Sequence, residues 1–410
     1  MTALALTVSA LAAAPPAGPS AGPPAPPSAA PSAPRAPEPL EDLGRPNKVH
    51  LAYFVPTDRQ PTRAWREKIT VLMTFVADLY RRDLHSHGYA TRGLDVAFDA
   101  DGRPAVHLVR AKHAAAHYNG DPDFTFMQQW RTVLPEVEAV LGGATENLLV
   151  IFAETYDDGP TRYEWRGGVA LGCRFSASGG AGLFSAWILR DAFCAATVDE
   201  QLRLLADATP IPGRVALGSG RPNSTRFEFI EDGFGAAAHE LGHAFGLPHD
   251  RRKEQRYIMG NGFRHLRRNF LEPPAGEPVG FSPDNARLLA HSRFLAETPD
   301  LEDTTPPTVT LDPPDGPLAP HATEVRLRGR VRDDRGLAAV LYVDPHADTV
   351  VGGADLTGGA AGDGAVPVLE ADLDVRLPVR PPNDGPCRVR VLVIDRGGNI
   401  GSATAAYPKQ

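Results

Sequence analysis

Three histidines and one glutamate stand at spacings that suit a catalytic zinc ion in the stretch His239-Glu240-Leu241-Gly242-His243-Ala244-Phe245-Gly246-Leu247-Pro248-His249-Asp250. His239 and His243 are four residues apart. On an α-helix that offset puts both imidazoles on one face, one turn apart, within reach of one metal. Glu240 leans over the same site and can take a proton from water there. Gly246 lacks a Cβ and can adopt the left-handed conformation that ends a helix. The turn brings His249 back from another direction, which matters because one straight helical face cannot supply three ligands to a tetrahedral ion. Three protein ligands leave the fourth position for water, as a catalytic zinc requires.

These residues need a helix and a scaffold. The spacing predicts a zinc helix over Phe234–Phe245, with Glu231-Asp232-Gly233 placing negative charge before the positive end of its dipole. Ala236, Ala237 and Ala238 allow close packing on a sheet. Upstream, His50–Val55 reads as a strand, and residues from about 63 to 84 carry apolar positions at helical spacing. Leu94–Phe98 and Val106–Val109 read as strands on either side of the Asp101-Gly102 turn. Phe124–Leu141 is a second helical stretch, and Asn147–Phe152 is an apolar run typical of a strand buried on both faces. Ser176–Pro212 is a long insertion with two apolar helix candidates, Leu183–Cys194 and Val198–Leu205. After His249 comes a basic run, Arg251, Arg252, Lys253 and Arg256, read first as a solvated face and second as a basic pocket wall. Ser282 or Asp284 caps a last helix, with its apolar face over Ala286–Leu295.

The histidine stretch resembles the signature of the metzincin endopeptidases, H-E-x-x-H-x-x-G-x-x-H followed by a Met-turn. Tyr257-Ile258-Met259-Gly260-Asn261-Gly262 supplies that turn, with Met259 ten residues after His249. The resemblance implies an α/β catalytic domain with a mixed sheet. It implies one zinc on His239, His243 and His249, Glu240 as general base, and Met259 as an apolar floor beneath the metal. It also implies an exposed edge strand that pairs with extended substrate. Gly167–Gly172, with Gly168, Val169 and Ala170 at its centre, is the candidate; an ordinary hairpin strand is the other reading. Asp250 after the third histidine is similar to the adamalysin (reprolysin) branch, but Tyr257 stands where that branch has cysteine. Asn261 stands where astacins and serralysins place a tyrosine. The clan is implied; no branch is.

The rest of the chain bounds this reading. At 410 residues there is room for two or three domains. A net charge of −8 and the lack of a basic stripe with interleaved aromatics argue against a nucleic-acid partner. The partner expected is a protein or peptide substrate, and a monomer is expected. Residues 1–14 form an apolar run ending in Ala12-Ala13-Ala14, which resembles a secretory signal without a leading Lys or Arg. The run is too short to span a bilayer. A secreted or cell-surface location follows; an Ala-rich tail of a cytoplasmic protein is the alternative. Residues 15–46 form a Pro/Ala-rich linker without cysteine, so no thiolate from that side can latch the zinc. In an exported protein Cys173 and Cys194 could form a disulfide, leaving Cys387 alone.

Residues 47–298 are assigned to the catalytic domain and 304–410 to a second module. That module is a series of short strands with turn residues between them and no helix pattern, the signature of a β-sandwich. It resembles the immunoglobulin-like or fibronectin-type domains of secreted bacterial enzymes, and a spacer or docking role is expected. Asp333, Asp334 and Asp395 could gather a calcium ion, though solvated turn residues are the simpler reading, so Ca2+ is an unsupported second cofactor beside Zn2+. The fold class expected is α+β followed by an all-β sandwich. The function expected is a secreted zinc endopeptidase that hydrolyses peptide bonds through zinc-activated water with Glu240 as base. The alternative is a non-catalytic surface binding or adhesion protein on the same scaffold.

Overall fold

The computed structural model describes residues 35–119, 126–159, 163–164, 170–272, 276–319, 321–357 and 367–409. The first part runs β1 (Val49–Val55), α1 (Trp65–Ser86), β2 (Val106–Arg110), α2 (Ala115–Asn119), α3 (Phe126–Leu141), β3 (Leu148–Ala153), β4 (Asp157–Asp158), β5 (Tyr163–Glu164), β6 (Ala170–Arg174), β7 (Gly180–Ser185), α4 (Val198–Ala206), α5 (Arg226–Ala244) and α6 (Pro283–Ala290). Five strands form one sheet in the order β2-β1-β3-β7-β6. The first four are parallel, and β6 runs antiparallel to β7 at the edge. All six residues of β3 are buried, as its unbroken apolar sequence predicts for a strand covered on both faces. No helix among the described residues is long and apolar enough to cross a membrane.

Three local expectations change. The helix expected over Leu183–Cys194 is instead the end of β7 followed by a short 3-10 turn at Ala186–Leu189. A short apolar run has no periodicity that separates a buried strand from a buried helix, and here the sheet claims it. Leu94–Phe98 makes only isolated bridges, Val49 to Val96 and Phe98 to Pro104. The helix that carries His239 and His243, α5, begins at Arg226, not Phe234. Thr225 and Glu228 form a capping box, with the Thr225 N–H donating to Glu228 Oε2 at 2.7 Å. Glu231 and Asp232 therefore lie buried inside the helix, where Arg267 and Arg264 meet them.

The second part is a sandwich of two antiparallel sheets. One has the order β11-β10-β13-β14 and the other β12-β9-β8. The strands are β8 (Thr308–Leu311), β9 (Glu324–Arg332), β10 (Leu337–Asp344), β11 (Thr349–Asp355), β12 (Glu370–Pro378), β13 (Cys387–Asp395) and β14 (Ile400–Tyr407). In β9 and β12 apolar and charged residues largely alternate, so one face of that sheet meets water, where Arg326 pairs with Asp374 and Arg330 with Asp372. Every residue of β10 is buried. Leu337, Val340 and Tyr342 face the interior of the sandwich, whereas Ala339, Leu341 and Val343 join the core of the first part. Val350, Leu392 and Ile394 join that same core. The sandwich is therefore docked by an apolar sheet face. Polar ties flank the seam: Arg293 donates to Gly397 O, and Arg174 donates to Gly398 O.

Candidate active site

Helix α5 carries His239 and His243 one turn apart. The helix ends at Gly246, whose φ of +94° is left-handed, and the chain then returns through Leu247 and Pro248 to His249. All three imidazoles offer a ring nitrogen to one small volume, with the ligand atoms within 4.8 Å of one another.

What aims them is a set of hydrogen bonds at the opposite ring atom. His239 Nδ1–H donates to Ile258 O at 2.6 Å, and His243 Nδ1–H donates to Leu247 O at 2.8 Å. His249 Nδ1–H donates to Asp348 Oδ2 at 2.6 Å. With each Nδ1 committed as a donor, each Nε2 carries a lone pair. His243 Nε2 and His249 Nε2 face each other at 3.2 Å. Around a tetrahedral zinc bound at about 2.0–2.1 Å, neighbouring nitrogens stand about 3.4 Å apart. The three residues thus fit a zinc ion. Burial, with some repulsion from neighbouring rings, pushes His239 down to about 3 and His243 to about 4, so both are neutral imidazoles near pH 7.

Glu240 follows His239 and is raised to about 7 by burial, opposed by a hydrogen bond from the Gly172 N–H. That bond ties it to edge strand β6. Met259 is fully buried beneath the helix. A Cβ at Gly242 would lie 2.5 Å from Met259 Sδ, so the small residue between the two helix ligands is what lets the methionine approach. Asp250 closes the loop: its N–H donates to Met259 O at 2.9 Å, and its buried carboxylate takes Arg252.

Of the edge-strand candidates, Ala170 opens β6, while Gly168 and Val169 lie outside the described residues. Cys173 and Cys194 form no disulfide: both are free thiols. Cys173 lies on the edge strand, whereas Cys194 is buried against α1, its Sγ directed at Lys68 O. The three arginines of the basic run pair with acidic side chains, while Lys253 is exposed. Arg251 pairs with Asp348 and Glu254, Arg252 with Asp250 and Asp284, and Arg256 with Glu277. Of the expected calcium group, Asp333 and Asp395 do converge, with Asp303 in place of Asp334. A cavity of about 680 Å3 opens beside His243, between β6 and the sandwich, lined by Arg174, Phe175, Leu247, Arg390 and Leu392 among others.

The residue that sequence reasoning missed is Asp348. It sits in the turn between β10 and β11. Nothing in the sequence ties position 348 to position 249.

A mixed-sheet catalytic fold with a histidine triad, followed by a β-sandwich, is the class that the geometry defines. The comparisons agree. Residues 128–277 match the family described as "Putative peptidase family", Metallopep, a segment that runs from α3 past Met259. This match supports peptidase activity and, with the triad, a metal. No curated protein matches the chain. Among solved structures, a catalytically inactive OgpA from Akkermansia muciniphila, in complex with an O-glycopeptide (glycodrosocin) substrate, is similar at 16% identity and a TM-score of 0.60, covering 94% of this chain and 98% of that one. Wild-type OgpA from the same organism is similar in two crystal forms, each at 16% identity and a TM-score of 0.58, with 94% of this chain and 99% or 98% of the other covered. The likeness extends over both parts of the molecule.

Proposed function

We propose that this chain is an exported zinc-dependent endopeptidase of metzincin type. Residues 47–298 would be its catalytic domain and 304–410 an immunoglobulin-like sandwich. The observation that carries the reading is the set of three Nδ1–H bonds that turn three Nε2 lone pairs toward one point beside Glu240. Zinc held there would supply a Lewis acid that polarises the scissile carbonyl and makes water acidic enough to attack. The chain supplies the rest. Edge strand β6 offers backbone hydrogen bonds to an extended peptide. Glu240, held beside His239 and the Gly172 N–H, would remove the proton of the attacking water and return it to the leaving amine. Burial around His239 and Met259 keeps the site dry on its inner side.

The O-glycopeptide bound by OgpA suggests a narrower substrate class. The large cavity beside His243 favours it, since an extended peptide on β6 does not need that volume.

Cleavage of a peptide library and of matched O-glycosylated peptides by the zinc-loaded chain tests both. Cleavage that is lost on chelation supports the peptidase, and a strict need for the sugar supports the narrower class. A folded, zinc-loaded chain that cuts neither set would remove the reading.

A further inference from the structure

The first two ligands are steered by main-chain carbonyls of the catalytic part. His249 has left the helix, and its Nδ1 is met by a side chain 99 residues downstream, in the sandwich. We propose that the sandwich completes the metal centre, with Asp348 as a positioning residue that fixes the ring and tautomer of His249. This rests on the metal-centre reading above.

The carboxylate is itself held in place. Asp348 has a φ of +48°, a left-handed conformation that Asp and Asn tolerate better than most residues. The turn is tied by Asp344 Oδ1, which accepts from the His346 and Ala347 N–H groups at 2.9 and 3.0 Å. The hairpin then grips the ligand loop directly. Val350 N–H donates to His249 O at 2.9 Å, and Arg251 N–H donates to Thr349 Oγ1 at 2.8 Å. Arg251 Nη2 lies 3.2 Å from the same Asp348 oxygen that His249 uses. Val343 and Val350, on either side of the turn, are buried in the core shared with the catalytic part.

This carboxylate is more than half exposed, and an exposed ion pair contributes little to folding. Its effect should therefore fall on the metal. A carboxylate on the far nitrogen of a ligand imidazole raises its basicity and fixes its orientation, and losing such a partner typically costs about 10–100-fold in metal affinity. By linkage, zinc then also stabilises the docking of the sandwich.

The test uses the full chain. Zinc affinity is measured by competition with a chromophoric chelator for wild type, Asp348→Asn and Asp348→Ala, with thermal unfolding of each apoprotein alongside. Asn keeps the left-handed preference and removes the charge. The expected result is an affinity about 10–100-fold lower for Asp348→Ala, an intermediate loss for Asp348→Asn, and apoprotein unfolding within a few degrees of wild type. Visible spectra of the cobalt-substituted variants should show altered d–d bands, which a purely structural role would leave in place. Thr349→Val is the control, because it loosens the same hairpin without touching the His249 ring. An affinity unchanged in both Asp348 variants would overturn the inference, and so would an equal loss in Thr349→Val. Affinity is read with no peptide present, so this outcome is separate from whether the chain cleaves anything.

Discussion

The proposed metal centre has two halves that are built differently. His239 and His243 ride on a helix with a capping box at its start and a left-handed glycine at its end, and their rings are steered by backbone carbonyls. His249 sits on a loop and is steered by a carboxylate from a different layer of the molecule. A backbone carbonyl cannot be removed by substitution, so the first half is as durable as the helix and the loop segments at Leu247 and Ile258 that supply those carbonyls. The second half is held in place only while the sandwich stays docked. Metal affinity in this protein should accordingly report on the seam between its two parts.

The comparison can be broken or sharpened in order of expected effect. His239→Ala or His243→Ala should abolish stoichiometric zinc uptake, seen by metal analysis after gel filtration. Retention of one zinc in either variant would mean that the metal sits elsewhere. Glu240→Gln should keep the zinc and lower the cleavage rate by about 10²–10⁴-fold, read under single-turnover conditions. Leu341→Ala, placed in the docking face, should cost about 2–5 kcal/mol in unfolding free energy and weaken zinc binding as well. If stability falls but zinc affinity does not, the seam and the metal are uncoupled.

The smallest effect concerns the helix alone. Burial lifts Glu231 to about 8, against opposing contacts with Arg267. The folded state therefore holds a proton that the unfolded chain, with an ordinary glutamate value of about 4.5, has released. The stabilisation is present below the unfolded value and is lost as pH rises through the folded one. Unfolding free energy should fall between about pH 5 and 8, by a few kcal/mol at most, and Glu231→Gln should flatten that slope in a pH series of denaturant melts.

What was legible in the sequence follows the same division. The helix half is local: an offset of four residues between His239 and His243, a glycine, a methionine at the right distance. Periodicity and spacing carry such information, and β3 and the start of the late helix α6, capped by Ser282 of the two candidates, were readable for the same reason, although α6 stops at Ala290, short of the expected Leu295. The third ligand's partner depends on tertiary docking, which no local period encodes. One clue was present. Leu337–Val343 is apolar without alternation, unlike β9 and β12, and a sandwich strand apolar on both faces needs a second surface to cover it. That pattern argues for docking over a spacer. The disulfide expectation failed because it rested on chain position, while Cys194 turns toward α1 and Cys173 lies on the sheet edge.

The most direct measurement is anomalous diffraction at the zinc edge from crystals of the zinc-loaded chain. The account predicts one strong peak within bonding distance of the Nε2 atoms of His239, His243 and His249, with Asp348 on the Nδ1 of His249. A peak that excludes His249, or one found only away from the histidines, would contradict it.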